Sequence, residues 1–345
     1  MYINLLLLFA LLSFPPALFG NEELPDLESN LSDFVREVKK IEVPGYPHAF
    51  NPSIIRWKGK ILLSFRYLPD LKNKFLSCIG LMFVDENFES AGDPYILPLK
   101  LSSGSFPSRA EDGRLLYVGE KLMLVYSDCK DVKVSRGGFR VYITELLHNG
   151  SQFEIGPEIC LNEYPQNDPS RREKNWVPFD YNGELMLSYS ITPHTVFHNN
   201  CRAGRCDFIS TSNKAVDWSW GELRGGTPGL LLDDNRYLSF FHSWIDMPSV
   251  HSQAKVSSHY FMGAYTYAAD PPFDLLECSP EPIVGTGFYH GESYTPYWKP
   301  VVAIFPCGFL MDSNFVWVVY GRQDHEMWVV KLDKKPLLDS LKTVN

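Results

Sequence analysis

Residues 110–128 read AEDGRLLYVGEKLMLVYSD. Two short apolar runs, Leu115–Val118 and Leu122–Tyr126, flank Gly119, Glu120 and Lys121, the composition of a β-hairpin and its turn. Glu111, Asp112 and Arg114 stand where the chain enters the first strand. Most acid-rich turns are merely solvated, and Arg114 beside Glu111 makes an ordinary local pair. What gives these charges weight is that the hairpin recurs.

The same cadence returns in NPSIIRWKGKILLSFRY (51–67), EKNWVPFDYNGELMLSYSI (173–191), GGTPGLLLDDNRYLSFFHS (225–243) and PVVAIFPCGFLMDSNFVWVVYGRQD (300–324). The starts lie about 50–75 residues apart, which leaves room for four antiparallel strands in each unit, and such periods in β-rich sequence indicate propeller blades. Two-residue alternation and abundant Gly, Pro and Asn exclude helical repeats. The expectation is therefore an all-β chain: a five-bladed β-propeller over residues 46–345. In NLSDFVREVKKIEV (30–43), Leu31, Phe34, Val35, Val38 and Ile41 recur at helical spacing, which predicts a short helical lead-in over 21–45. PLLDSLKTV (336–344) predicts a second short helix.

The composition suits this reading. Aromatic residues make up 14% of the chain, which fits sheets and also sugar rings stacked on aromatic faces. A formal charge of −9 argues against nucleic acid as a partner. The start is apolar from Ile3 to Phe14 and broken by Pro15–Pro16, which predicts a signal peptide over 1–20 and a secreted, cell-envelope or lumenal protein. An uncleaved anchor or a buried N-terminal helix are the alternatives; no membrane span is expected after signal cleavage. None of the seven cysteines has zinc-site spacing, and no metal is expected. Cys201 and Cys206, in CRAGRC, are close enough to form a disulfide in an oxidising compartment. Asn30 and Asn149 are glycosylation acceptors in a host that glycosylates.

In a propeller the residues leading into the innermost strands gather at one mouth of the central channel. Blade by blade, that set is Asn51 and Arg66; Glu111, Asp112 and Arg114; Lys174, Asn175 and His194; Arg224, Thr227 and His242; and Tyr320, Arg322 and Asp324. A cationic focus inside an acidic protein concentrates an anion such as phosphate or a sugar phosphate. Acids come chiefly from the second unit, which argues against a sugar hydrolase built on three carboxylates. It favours one carboxylic acid protonating the leaving oxygen while an external anion attacks.

The ordered series Asn-Pro…Arg, Glu-Asp-x-Arg, Lys-Asn-x-x-Pro-Phe, Gly-Gly-Thr-Pro…His, Tyr-x-x-Gly-Ala and Phe-Pro-Cys-Gly…Tyr-Gly-x-x-Asp resembles glycoside hydrolase family 130, from Asn51 to Asp324. That family holds β-mannoside phosphorylases and mannosidases, and β-mannosyltransferases are similar to it. The resemblance implies that Asp112 is the general acid, acting through a hydroxyl of the bound mannose. It implies a phosphate site on Arg114 or Arg140, Lys174 and His242, and a sugar contact from Asp324. Asn51, Arg66 and Tyr320 complete the candidate substrate site, with Glu111 beside the acid. Two departures stand out. Gly113 replaces the family's Pro, and SYSITPHTV replaces its His-Arg-Pro, so that His194 substitutes for an anion-gripping Arg or the nucleophile is no longer phosphate.

Three functions follow. The first is cleavage of β-mannosidic or similar bonds in an oligosaccharide or glycoconjugate, by phosphorolysis or hydrolysis. The second is β-mannosyl transfer from a sugar-phosphate or nucleotide-sugar donor, and the third a non-catalytic carbohydrate-binding propeller. No cofactor is expected; inorganic phosphate or a nucleotide sugar enters as co-substrate. A hydrolase also needs a carboxylate base, for which Glu111 and Glu292 are the candidates.

Overall fold

The computed structural model describes residues 23–73, 75–131, 138–165, 167–168, 170–291 and 301–345. The expected signal peptide (1–20) and Glu292 lie outside the described residues.

All five expected hairpins form, and each opens a blade. The strand β1 (Val35–Ile41) comes first in the chain. Blade I is β2 (Phe50–Trp57), β3 (Lys60–Tyr67), β4 (Cys78–Val84) and β5 (Tyr95–Ile96). Blade II is β6 (Glu111–Val118), β7 (Lys121–Asp128) and β8 (Arg140–His148), edged by β9 (Phe153–Ile155) and β10 (Ile159–Leu161). Blade III is β11 (Val177–Tyr181), β12 (Glu184–Ile191), β13 (His194–Asn199) and β14 (Asp207–Ser212). Blade IV contains β15 (Glu222–Gly225), β16 (Leu230–Leu231), β17 (Arg236–Met247), β18 (Ser257–Ala268) and β19 (Leu275–Cys278). Blade V is β20 (Val301–Met311), β21 (Phe315–Arg322) and β22 (Glu326–Asp333). The turns use the expected chemistry: Asn182 and Gly183 both take left-handed backbone, with φ of 54° and 83°, as a two-residue hairpin turn requires.

Five apolar cores, one per blade interface, close the ring. Leu62 and Leu81 meet Leu115 and Leu124 between blades I and II. Val125 and Ile143 meet Trp176 and Leu187 between II and III, and Phe179 and Val196 meet Tyr265 and Tyr267 between III and IV. Phe240 and Met262 meet Val318 and Val330 between IV and V. Ile54 and Leu63 meet Val319 and Val329 between V and I, which returns to the start. The chain is a five-bladed β-propeller. Blades IV and V also share a short parallel pairing, Ser258–Tyr260 against Val301–Ala303, so their strands form one continuous sheet.

The expected helical lead-in is corrected: residues 35–41 are strand β1, antiparallel to β22, with Val38 opposite Val330 and Ile41 opposite Met327. A bulge between Val35 and Glu37 shifts the register, so Val35 and Val38, three apart, both face the core between blades IV and V, while Ile41 packs between V and I. The propeller thus begins before residue 46, with its N-terminal strand completing the last blade. The C-terminal helix does form, as α1 (Lys334–Ser340), with Leu337 buried in the core between blades IV and V. It leads to β23 (Lys342–Thr343), which pairs with β19. Among the described residues no helix is long and apolar enough to cross a membrane. Cys201 and Cys206 stand as free thiols rather than the expected disulfide, and burial pushes them up to about 11 and about 12.

Candidate active site

The residues at the blade entrances share an unusual backbone. In blades I and II the ladder slips between Phe50 and Ser53 and between Glu111 and Arg114. The residue inside each slip is left-handed: Asn51 at φ 47° and Asp112 at φ 54°. Asn175, just before β11, has φ 63°, and Asp324, just after β21, has φ 52°. Asn and Asp tolerate this conformation better than other side-chain-bearing residues, and a bulge there turns the side chain out of the pleat. All four side chains line one cavity of about 570 Å³. Gly321 is required beside it, since a Cβ there would lie 1.9 Å from Asn51 Oδ1.

Every blade contributes to the cavity, which is lined by both acidic and basic side chains. Glu111, Asp112 and Asp324 line it together with Arg66 and Lys174. Asn51 Nδ2 donates to Asp112 Oδ1 at 2.8 Å, and Arg66 reaches Glu111 Oε1 at 2.9 Å and Asp112 Oδ1 at 3.4 Å. Lys174 Nζ closes the network on Glu111 Oε2. Burial by itself would raise the Asp112 carboxyl, but Arg66, Lys174 and the Asn51 amide outweigh it and hold Asp112 below its ordinary value. Asp324 goes the other way: burial, reinforced by Asp112 and Glu111 and opposed by Arg66, pushes it up to about 6. Neighbouring carboxylates with separated proton affinities are the arrangement acid chemistry needs.

The cavity is also lined by Arg171, Arg172, Arg224 and His242, with Glu173 and Glu222 among them. Arg224 pairs with Glu222 at 3.0 Å and lies over the Trp244 ring at 5.0 Å. Arg172 lies over Phe139 at 4.9 Å. Burial, with Arg224 and Arg114 nearby, pushes His242 well below its ordinary value, so it is neutral. Its buried Nδ1 has no hydrogen-bond partner.

The structure therefore brings together Asn51, Arg66, Glu111, Asp112, Lys174, Asn175, Arg224, His242 and Asp324. Other expected residues lie outside the cavity. Arg114 is buried beneath it and bonds Gly226 O, Asp112 O at 3.1 Å and Asn175 Oδ1 at 3.3 Å, so it braces three blades instead of facing an anion. His194 is sealed between blades III and IV, its Nδ1 2.9 Å from Phe273 O. Burial pushes it down to about 4, so it does not replace a lost arginine. Tyr320 is buried against Phe288, with ring centroids 4.9 Å apart. Arg322 is held by Glu326 at 2.8 Å, and Thr227 Oγ1 accepts from Phe240 N at 2.9 Å. Arg140 Nη1 donates to Arg171 O at 2.9 Å and so braces the loop that carries Arg171 and Arg172.

Sequence reasoning missed that arginine pair, although SRREKN (170–175) places it just ahead of Lys174. It also missed Tyr189 and Tyr260, which line the cavity from β12 and β18. Aromatic walls beside charged groups suit a sugar, whose ring faces stack while its hydroxyls bond.

No protein-family model matches the sequence, and no curated protein is similar to it at the sequence level. Solved structures are similar in fold. A β-1,2-mannobiose phosphorylase from Listeria innocua, in complex with β-1,2-mannobiose, superimposes with a TM-score of 0.58 at 14% identity, covering 88% of this chain and 92% of the other. A mannose phosphorylase from Leishmania mexicana, in complex with phosphate ion, gives 0.57 at 13% identity over 90% and 92%. A third structure comes from work on hydrolases of the GH130 family of mannoside phosphorylases that target β-1,2-mannosidic linkages in Candida mannan; it gives 0.59 at 12% identity over 93% and 96%. The chain therefore shares the five-bladed fold of glycoside hydrolase family 130, the family its motifs resemble.

Proposed function

We propose that this protein cleaves β-mannosidic or closely similar glycosidic bonds, with phosphate as the attacking group and Asp112 as the general acid. One observation carries the reading: a single cavity is lined both by the acidic cluster of Glu111, Asp112 and Asp324 and by Arg171, Arg172, Arg224 and a neutral histidine. A sugar seated in the cavity presents its leaving oxygen to the carboxylates and its anomeric carbon to an anion held by the arginines. Guanidinium forks match phosphate geometry, and the Nδ1 of a neutral histidine can donate one further hydrogen bond or accept one from a protonated phosphate. The likeness to phosphorylases that bind phosphate and β-1,2-mannobiose supports the same reading.

Asp112 must carry a proton when the bond breaks, yet Arg66 and Lys174 favour its ionised form. An anion in the cavity offsets those cations and restores proton affinity to the acid, so the co-substrate itself prepares the catalyst. In this proposal the chemistry takes place outside the cytoplasm, a reading supported by the apolar run at Ile3–Phe14.

Incubating the protein with a β-1,2-mannoside, with and without phosphate, tests the reading by its product. Mannose 1-phosphate formed only with phosphate is the expected result. Free mannose at equal rates in both tubes replaces phosphorolysis by hydrolysis. Mannosyl transfer from a nucleotide sugar alone makes the protein a transferase, and sugar binding with no product makes it a binding propeller.

A further inference from the structure

Three side chains remote in sequence meet apart from the residues that line the cavity: Glu28, His251 and His290. One carboxylate oxygen and one ring nitrogen from each histidine all lie within 4.8 Å of one another. Glu28 belongs to the segment before β1, His251 to the loop between β17 and β18, and His290 to the connection between blades IV and V. We propose that these residues form a binding site for a zinc-class divalent ion that fastens the N-terminal segment to the propeller.

The carboxylate is pre-set for this task. Glu28 Oε2 accepts from Gly287 N at 2.8 Å, and Oε1 accepts from Tyr289 N at 2.7 Å. Two backbone amides thus fix its orientation, as outer partners commonly do around a metal. His290 Nδ1 lies 3.0 Å from Glu28 Oε1. Two donors on one tetrahedral zinc, at about 2.0–2.2 Å each, are separated by roughly 3.4 Å, so this spacing needs little change. His251, whose side chain is only 4% exposed, keeps Nε2 on Asp26 Oδ1 at 3.0 Å, which puts a further carboxylate beside the site. His290 is 69% exposed and turns freely enough to close the remaining distance.

Two imidazoles and a carboxylate select zinc or its neighbours rather than calcium or magnesium, which prefer oxygen ligands only. Such a set leaves a fourth position for water. On binding, each histidine coordinates through an unprotonated nitrogen and keeps its proton on the other ring nitrogen. The ion would act at the seam of the ring, because Glu28 lies seven residues ahead of the strand that completes blade V.

The test uses the full chain stripped with a chelator and titrated with Zn²⁺ alone, followed by calorimetry and melting. One equivalent should bind and raise the melting temperature by about 5 °C at saturation, whereas Mg²⁺ and Ca²⁺ should not. Co²⁺ should give the intense visible absorption of a tetrahedral nitrogen–oxygen site. His290→Ala, at an exposed position that leaves the fold intact, should weaken binding at least tenfold and cancel most of the stabilisation. It should leave sugar cleavage unchanged, which separates this site from the active-site reading. Absence of stoichiometric binding, or equal binding by His290→Ala, overturns the proposal.

Discussion

The charge that matters most at the level of single residues is the proton on Asp112. Asp112→Asn keeps the hydrogen-bonding outline that Asn51 and Arg66 meet, but it cannot deliver a proton. Turnover should fall about 10²–10⁴-fold while sugar binding persists, as measured by steady-state rates and calorimetry. A variant that turns over normally on a confirmed substrate removes Asp112 from the mechanism. Asp324 makes a different prediction. Its proton affinity is raised from an ordinary 3.8 to about 6 in the folded protein, so ionising it disfavours the fold. That cost is absent below about pH 4, grows as pH rises toward 6 and is constant above. Asp324→Asn should therefore be more stable than the parent at pH 7, by on the order of 2 kcal/mol, and equal to it near pH 3.5. Urea unfolding at the two pH values checks this, and a gain of equal size at both points to a cause other than ionisation.

Among the elements, β1 has the largest consequence for its length. It supplies the outer strand of blade V, and without it β22 exposes an unpaired edge. A chain beginning at Glu42 should lose the cover that Val35 and Val38 give to the core between blades IV and V. It should either unfold or associate through the open edge, with a loss of at least about 3 kcal/mol if it stays monomeric. Denaturant titration together with light scattering reads both outcomes. Unchanged stability and a monomeric state would mean that blade V does not depend on closure.

Taken as a whole, the molecule is an acidic protein whose cavity is lined by exposed Arg171 and Arg172 and half-buried Arg224. That contrast attracts a small anion and fixes where it stops. Phosphate should raise the melting temperature in a saturable way. Arg224→Ala should remove most of that rise and increase the KM for phosphate about tenfold, with little effect on sugar affinity. The rate of cleavage should also fall as pH rises. The midpoint of that decline should move up by about one unit between low and saturating phosphate, because the anion offsets Arg66 and Lys174 around Asp112. A midpoint that ignores phosphate would show that the anion binds too far from Asp112 to serve it.

The five hairpins and their order were legible in the sequence because their signals are local. Asn182–Gly183 sets its own turn, and alternating apolar residues set their own strands. Asn51, Glu111, Asp112, Lys174 and Asp324 could be found for the same reason, since a position ahead of or just after a hairpin fixes which end of a blade it occupies. The strand nature of 35–41 could not be read, because its bulge shows only against a partner about 290 residues away. Nor could local pattern separate Lys174, which faces the cavity, from Arg114 and His194, which are turned into blade seams. That difference arises where two blades pack and one side chain fills the gap between them. The pairing of Lys174 and Arg66 with Glu111, the gathering of Arg171, Arg172 and Arg224, and the meeting of Glu28, His251 and His290 share this origin. Each joins segments that only the packing of separate blades brings within reach, so the tertiary structure alone decided them.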